Sequence, residues 1–141
     1  MIKITIAEVQ YIAFKLAKEF LSSNEPIPEF QSRFPNILES CLAVPFQKFD
    51  KKDLYRGLIQ KASILFYLMT KNHPFQNGNK RIAMTALLIF LYKNNKWLKI
   101  DSYELYKFAV DVAKSQAEDK DLILKGIEQF IRTYLIKLKQ Y

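Results

Sequence analysis

The chain contains few of the residues on which several fold classes and site types depend. Its 141 residues include one Cys, one His, 3 Gly and 5 Pro. A single Cys excludes an intramolecular disulfide framework and a multi-cysteine zinc site, and a single His excludes a two-histidine metal motif. So few turn-forming residues argue against an all-β sandwich or barrel. The longest mostly apolar run, Ile82 to Tyr92, is shorter than the roughly 20 residues that span a bilayer.

The rest of the composition is typical of a globular domain. Hydrophobic residues make up 50% of the chain and charged residues 26%, and one domain usually has roughly 100–200 residues. We therefore expect a single domain over residues 1–141. The first apolar stretch contains Glu8 and no cleavage-site pattern, which predicts a cytoplasmic protein without a signal peptide or membrane contact. The net charge of +8 favours anionic partners, although scattered lysines more often form a solvated surface.

Apolar residues at helical spacing predict an all-α fold with about six helices around a central buried one. The fourth predicted helix is apolar from Ile82 to Leu91 except at Thr85, and a helix that is apolar all round is buried on all sides. The six predicted helices are Thr5 to Leu21, Asn36 to Ala43, Leu54 to Asn72, Asn79 to Lys93, Asp101 to Gln116, and Asp119 or Asp121 to Lys137.

Capping residues and prolines support these boundaries. Three prolines predict a loop from Ser23 to Pro35, and Val44 to Lys52 is predicted to be a loop or a short hairpin. The residues with the chemistry or spacing of N-terminal caps are Thr5 with Glu8, Asn36, Asp50 with Asp53, and Asp101 with Glu104.

The stretch HPFQNGNKR, from His73 to Arg81, joins a tight loop to the start of the fourth helix. The first turn of a helix has N–H groups without intrahelical partners and carries about half a positive charge. Gly78 permits a left-handed backbone, in which successive N–H groups converge on an anion. These properties predict a phosphate site at this helix start.

The side chains around this helix start point to the same chemistry. Lys80 and Arg81 lie in a first turn, where each cation is unfavourable by roughly 0.3–1 kcal/mol unless an anion binds there; a pair directed to solvent explains them equally well. His73 suits a general base near neutral pH, or a structural role. We expect Phe75 to enter the core, and Asn77 to offer Mg²⁺ its amide oxygen, a weaker ligand than a carboxylate.

This stretch resembles the signature of the Fic/Doc family, His-x-Phe-x-acid-Gly/Ala-Asn-Gly/Lys-Arg. Each defined position agrees except the acidic one, which is Asn77 here. The resemblance extends over residues 36–115 and includes Ile37-Leu38-Glu39-Ser40 before a proline-containing loop. Lys80 replaces the Gly that AMP-transferring Fic enzymes usually carry, and is similar to the Doc branch.

The resemblance implies a role for each matching residue. His73 would take the proton from a Ser, Thr or Tyr hydroxyl of a target protein. Gly78 and Asn79 would form the anion hole for nucleotide phosphates, Arg81 would clamp the phosphate in the transition state, and Lys80 would add a Doc-type phosphate contact. The resemblance further implies that Pro74 and Phe75 are structural, and that a flap over residues 44–52 docks the target by strand addition, with Pro45, Phe46, Gln47, Lys48 and Phe49 as its members.

The implied donor substrate is ATP or another nucleoside triphosphate, with Mg²⁺. Doc-type members phosphorylate elongation factor Tu as the toxin of a toxin–antitoxin pair, whereas Fic-type members transfer AMP to proteins, and both activities remain open here. Many Fic proteins carry an inhibitory helix with Glu before Gly or Asn. No Glu of this chain precedes either residue, so a separate antitoxin is implied.

Three other interpretations remain open. Asn77 would remove a charge from the metal site and leave a Fic-like binding protein with weak or no catalysis. Cys41 and His73 would form a nucleophile–base pair in a thiol enzyme, although the apolar neighbours of Cys41 favour a small buried side chain. The basic charge would suit a helical nucleic-acid-binding module, but Ile82 to Leu91 lacks the polar face of a recognition helix.

Overall fold

A computed structural model of the chain describes residues 1–19 and 26–138. The described residues form six helices and two short two-stranded sheets, which confirms the all-α class. The predicted end of the first helix at Leu21 and the predicted loop start at Ser23 lie outside the described residues. The helices are α1, built from Ile6–Glu8, a π-helical segment Val9–Ala13 and Phe14–Glu19; α2, Pro35–Ala43; α3, Gly57–Lys71; α4, Asn79–Lys93; α5, Ser102–Lys114; and α6, Lys120–Tyr134.

Helix α4 is the centre of the molecule. All its residues from Ile82 to Leu91 are buried, as their apolar pattern predicts. The polar exception, Thr85, donates a hydrogen bond of 2.9 Å to the carbonyl of Ala13 in α1. The hydroxyl is therefore satisfied inside the core, and it joins the central helix to the first one.

Two of the predicted caps are confirmed. Thr5 and Glu8 form a reciprocal capping box: the Glu8 amide lies 3.1 Å from Thr5 Oγ1, and the Thr5 amide lies 2.8 Å from Glu8 Oε1. Asp101 caps α5 by accepting from the Tyr103 amide at 3.4 Å. Within the described part of the chain, no helix has the length and apolar character needed to cross a membrane.

Two other predicted caps are wrong. Helix α2 starts at Pro35, with Phe34 rather than Asn36 as its N-cap, because proline suits the first helical position, where an N–H would have no helical partner. Helix α3 starts at Gly57, later than the predicted Leu54. The predicted capping box fails because Asp53 lies in a strand and binds Lys61 instead.

Residues 48–53 form the hairpin that the sequence left as an alternative to a loop. Strand β1, Lys48–Phe49, pairs antiparallel with β2, Lys52–Asp53. The two turn residues, Asp50 and Lys51, have φ of 52° and 65°, the pattern of a type I′ turn. A hairpin this short is marginal alone, so contacts with the helices must hold it in place.

Lys61 provides such a contact from α3. Its side chain is buried, and its ammonium group lies 3.3 Å from Asp53 Oδ2 and donates to the Tyr55 carbonyl. It also lies 5.5 Å from the centre of the Phe46 ring. One buried cation thus binds the segments on both sides of the hairpin turn, which meets the requirement that a buried charge be paired.

A second small sheet closes the other side of the molecule. Strand β3, Lys96–Leu98, pairs antiparallel with β4, Leu135–Lys137, with Trp97 opposite Ile136. The predicted last helix therefore ends at Tyr134 rather than at Lys137. Pairing between segments this far apart in sequence depends on the tertiary fold, and periodicity within either segment does not reveal it.

Candidate active site

The segment from His73 to Gly78 connects α3 to α4, and its one aromatic residue anchors it. Phe75 is buried, and its ring lies 4.9 Å from that of Phe14 and 6.2 Å from that of Phe30. The neighbouring Pro74 is buried too, and its carbonyl accepts a 2.9 Å hydrogen bond from the Phe34 amide. Phe75 therefore pins the loop as predicted, and residues on two other segments fix its position.

Asn79 organises the loop from the first position of α4. Its Oδ1 accepts from the Phe75 amide at 3.0 Å, and its Nδ2 donates to the Phe75 carbonyl at 2.8 Å. The same Nδ2 lies 3.3 Å from Nδ1 of His73. The Asn79 side chain is 5% exposed, so its amide is committed to the loop. Its contribution to an anion site is limited to its backbone N–H.

This clasp also defines the tautomer of His73. The two bonds to Phe75 fix which end of the Asn79 amide faces the ring, and an amide NH₂ group only donates. Nδ1 of His73 is therefore the acceptor, and a neutral ring carries its proton on Nε2. The ring is exposed, and the residue has φ of 50°, which is uncommon outside glycine. At 3.3 Å the contact is weak enough to break when a ligand approaches.

Gly78 is the N-cap of α4, and the fold requires a glycine there. Its φ is 70°, a left-handed conformation that is costly for other residues. A Cβ at this position would lie 2.7 Å from Cδ1 of Ile27 and 3.3 Å from the carbonyl oxygen of Pro26. Because glycine has no side chain, Gly78 makes no side-chain capping bond to the first turn of α4.

Arg81 is placed differently from an outward-facing phosphate ligand. Its side chain is 4% exposed, and Nη2 donates to the carbonyl of Ala17 in α1. The Ala17 carbonyl therefore explains in part why a cation is present in this first turn. Lys80 is half-buried at the same helix end. A guanidinium has five N–H donors, so the bond to Ala17 does not prevent Arg81 from also contacting an anion.

The loop does not supply a metal site of its own. Asn77 is exposed and offers one neutral oxygen, whereas Mg²⁺ favours carboxylates and phosphates. Among the described residues, no group of three or more His, Cys, Asp or Glu side chains is arranged to hold a metal ion. A Mg²⁺ ion at this loop would need most of its oxygen ligands from bound nucleotide phosphates and water. Asn77 would add at most one neutral oxygen.

The hairpin predicted as the docking flap lies away from His73. It is anchored near the start of α3, whereas His73 follows the end of that helix, and 15 helical residues span about 22 Å. Phe46 packs edge-to-face against Phe90, near the opposite end of α4 from Gly78, with ring centroids 5.9 Å apart. Pro45 is buried with it, while Gln47, Lys48 and Phe49 are exposed. This geometry does not place the hairpin against the candidate site.

Residues 26–34 lie beside the loop instead, and the sequence analysis assigned them no functional role. Ile27 packs against Gly78, and the Phe34 amide binds Pro74. The prolines of this segment indicated a loop but not its location. The missing information was tertiary, because nothing in the local pattern shows which helix end a loop contacts.

Cys41 does not belong to the site. It is fully buried, and burial raises the pKa of its thiol from 9.0 to about 12. A thiol with this pKa is almost entirely protonated near neutral pH, and the thiolate is the nucleophile. Burial and the raised pKa of Cys41 thus argue against the thiol-enzyme interpretation.

The match to a family model decides the family. A model described as "Fic/DOC family" matches residues 3–91, which include the whole His73 loop and the start of α4. This chain belongs to the Fic/DOC family. The predicted family resemblance is confirmed over residues 36–91. The match ends before residues 92–115 of the predicted range, and it includes α1, which the sequence analysis had left outside the resemblance.

A curated Fic/DOC relative is similar to part of the chain. Toxin Doc of Mycolicibacterium smegmatis is 33% identical over 73 residues, which are 52% of this chain and 56% of the relative. The aligned part thus spans about half the length of the curated relative. No solved structure matches the chain.

Proposed function

We propose that this chain is a Doc-like toxin that transfers a phosphoryl group from a nucleoside triphosphate to a hydroxyl of a target protein. The observation that carries the proposal is the loop in which Asn79 holds both His73 and the backbone of Phe75 at the start of α4. It places a titratable ring and the amino-terminal end of a helix on one short segment. Membership in the Fic/DOC family and the name of the relative support the proposal.

The reaction needs one proton transfer and one displacement. The acceptor hydroxyl gives its proton to an unprotonated nitrogen of His73, and its oxygen attacks the γ-phosphorus. The bond between the γ-phosphorus and the bridging oxygen breaks, and the nucleoside diphosphate leaves with that electron pair. First-turn N–H groups of α4 and Lys80 would stabilise the charge on the phosphate oxygens. A nucleotide-bound Mg²⁺ would supply further neutralisation of the phosphates.

The tautomer of His73 sets a condition on this step. Nδ1 faces the Asn79 amide and Nε2 carries the proton, so neither nitrogen of the neutral ring has a free lone pair in this arrangement. For His73 to act as a base, the weak contact with Asn79 must break and Nδ1 must turn to the acceptor, or the proton must move to Nδ1. We expect substrate binding to trigger this change.

AMP transfer is the second candidate, because the same loop would serve attack at the α-phosphorus with pyrophosphate leaving. Lys80 in place of the usual Gly of AMP-transferring members favours phosphoryl transfer. Asn77 favours a third outcome, a Fic-like protein that binds nucleotide and turns over slowly, since one oxygen without charge is a poor metal ligand.

One labelling experiment separates the three candidates. The purified chain is incubated with cell extract, and separately with purified elongation factor Tu, using ATP labelled at either the α- or the γ-phosphate. Protein label from the γ position alone supports the proposal, label from the α position indicates AMP transfer, and no label from either indicates a binding protein. His73→Ala should abolish labelling, and Arg132→Ala, which removes an exposed cation elsewhere, should not.

Arg81 needs a test that separates folding from catalysis. Because its side chain is buried and bound to Ala17, Arg81→Ala should lower stability as well as activity. Arg81→Lys and Lys80→Ala should therefore be compared by thermal melts and by labelling at a temperature where all variants are folded. A phosphate role predicts a labelling loss of at least tenfold in a folded variant; wild-type labelling in both would move the phosphate site elsewhere.

The proposed biological setting is a toxin–antitoxin pair, supported by the name of the relative. Induced expression of the chain should arrest growth, and His73→Ala should relieve the arrest. A neighbouring antitoxin protein should restore growth and bind the purified chain. Arrest that persists in His73→Ala would separate toxicity from the proposed chemistry.

Substitution of Asn77 tests whether the loop contacts a metal. Asn77→Asp should strengthen the Mg²⁺ dependence of labelling and raise its rate, because a carboxylate is a better ligand for a hard cation. The check is a Mg²⁺ titration of the labelling rate for both proteins. An unchanged profile would show that residue 77 is not near the metal.

A further inference from the structure

A cleft outside the His73 loop lies between α1 and residues 28–31. It has a volume of about 440 Å³, within the range of roughly 300–1,000 Å³ that accommodates small ligands. Its lining includes Tyr11, Lys15 and Lys18 from α1 and Glu29 from the facing segment. We call it the α1 cleft.

The α1 side of this cleft presents an aromatic ring and two cations together. Tyr11, Lys15 and Lys18 are spaced by four and three residues, which places them on one face of a helix. Tyr11 is 69% exposed and both lysines are exposed. An exposed aromatic ring next to two ammonium groups suits a ligand with a planar ring and a negatively charged group.

The helix is irregular where it borders the cleft. Tyr11 lies in the π-helical segment Val9–Ala13. Short π-helical stretches within α-helices occur frequently at functional sites. The distortion widens α1 at the position that supplies the exposed ring.

The floor of the cleft touches the residue that anchors the His73 loop. Phe14 and Phe30 line the cleft, with ring centroids 5.3 Å apart. Both rings also contact Phe75, at 4.9 Å and 6.2 Å. An occupant of the α1 cleft would therefore rest on the same aromatic cluster that positions the loop.

We propose that the α1 cleft is a second nucleotide site, distinct from the start of α4. The base would stack on Tyr11, the phosphates would pair with Lys15 and Lys18, and Glu29 would accept a hydrogen bond from an amino or hydroxyl group. The lysines outnumber the one carboxylate among these residues, which favours an anionic ligand. A cleft of about 440 Å³ fits one nucleotide rather than a continuous strand.

The test is an NMR titration of the full-length, ¹⁵N-labelled chain with ATP. We expect shifts of the amides at Tyr11, Lys15 and Gln31 that saturate independently of those from Gly78 to Arg81. In the double variant Lys15→Gln/Lys18→Gln, affinity at the cleft should fall at least tenfold while the second set of shifts is retained. Adenosine and inorganic triphosphate should each bind the cleft at least tenfold more weakly than ATP.

A matched control comes from α5, where Lys107 lies 5.5 Å from the ring of Tyr103, four residues earlier, without bordering the α1 cleft. The double variant Lys107→Gln/Lys114→Gln removes the same charge and should leave both sets of shifts unchanged. If both double variants weaken ATP binding at the α1 cleft equally, net charge alone explains the loss of affinity, and the proposal is overturned.

Three further results would overturn the proposal. They are the absence of shifts around the cleft at millimolar ATP, shifts that survive Lys15→Gln/Lys18→Gln, and a short single-stranded oligonucleotide binding the same residues more tightly than ATP. The proposed transfer activity is tested separately, by the shifts of the Gly78–Arg81 amides and by the labelling experiment. The α1-cleft proposal and the proposed function can therefore be contradicted independently of each other.

Discussion

At the scale of single residues, the side chain of Asn79 holds the loop of the candidate site together. Its one amide group satisfies both backbone groups of Phe75 and contacts His73. A residue that the family signature assigns to the anion hole therefore acts through its side chain as a positioning residue. Under the proposed function, the phosphate contacts would be made by the backbone of the first turn of α4 and by the neighbouring cations.

His73 gives the first prediction. We expect ¹⁵N NMR of the nucleotide-free protein to show that the neutral form of the ring carries its proton on Nε2, because Nδ1 accepts from the Asn79 amide. Asn79→Ala should increase the population of the Nδ1–H form. Loss of a general base typically costs about 10²–10⁴-fold in rate, so His73→Ala should lose labelling by that factor with an unchanged melting temperature. An Nδ1–H ring in the wild-type protein would contradict the described geometry.

Cys41 gives the second prediction. Since burial raises its pKa to about 12, we expect iodoacetamide at pH 8 to alkylate the folded protein at least 100-fold more slowly than the unfolded chain. Mass spectrometry of alkylated protein, with and without denaturant, measures both rates. Comparable rates would mean that α2 opens readily or that the thiol is not buried.

At the scale of elements, the helix ends and loops define the candidate site. Gly78 shows this most directly, because the backbone conformation and the packing of Ile27 both exclude a side chain there. Two independent features therefore require glycine at the start of α4: the positive φ of residue 78 and its close packing against Ile27.

The three glycines form a graded test of these constraints. Gly126→Ala, in the exposed interior of α6 with open space around it, should stabilise the protein by roughly 0.5–1 kcal/mol. Gly57→Ala meets open space but a φ of 74°, and should cost about 1–2 kcal/mol. Gly78→Ala adds the contact with Ile27 to a φ of 70°, and should cost about 2–4 kcal/mol.

Denaturant unfolding of the three variants measures this order. Ile27→Ala combined with Gly78→Ala should recover part of the loss, because it removes the atom that the new methyl group meets. If Gly78→Ala costs no more than Gly57→Ala, residues 26–28 do not pack against the α4 start in solution.

At the scale of the whole molecule, long-range polar contacts tie the amino-terminal region to the central helix. Thr85 binds Ala13, and Arg81, one turn earlier in α4, binds Ala17, one turn later in α1. At the other end of α4, Lys93 lies 2.5 Å from Glu8 and donates to the Lys3 carbonyl. The position of α1 is thus fixed along the length of α4.

The Glu8–Lys93 pair gives a prediction about pH. Burial raises the pKa of Glu8, but hydrogen bonds from Lys93 and Thr5 outweigh it, so the net pKa is below 4.5. A carboxyl whose folded-state pKa is lowered adds stability above its unfolded pKa and loses it as the pH falls through the folded value. Glu8→Gln should therefore cost about 1 kcal/mol at pH 7, and this difference should shrink below about pH 4.5.

Denaturant unfolding between pH 3 and pH 7 measures this difference. Glu39→Gln, which changes an exposed carboxylate on α2, serves as the control and should leave the free energy of unfolding within about 0.5 kcal/mol. A pH-independent cost for Glu8→Gln would show that the carboxylate charge is not the stabilising feature.

The sequence by itself determined the helices and the position of the family motif along the chain. Helix periodicity is local, so six helices were predictable, and α4 was predicted from Asn79 to Lys93 as observed. The motif from His73 to Arg81 identified the family because its spacing is specific. Burial of Phe75 followed from an apolar residue in a polar loop.

Tertiary structure alone decided what lies next to what. Lys61 binding Asp53, the pairing of β3 with β4, and Arg81 binding Ala17 join residues whose local patterns carry no sign of one another. For the same reason the sequence placed the docking flap at residues 44–52, whereas the fold sets that hairpin at the far end of α3 and brings residues 26–34 to the His73 loop. Local propensity fixes an element, but only the packing of all elements together fixes its neighbours.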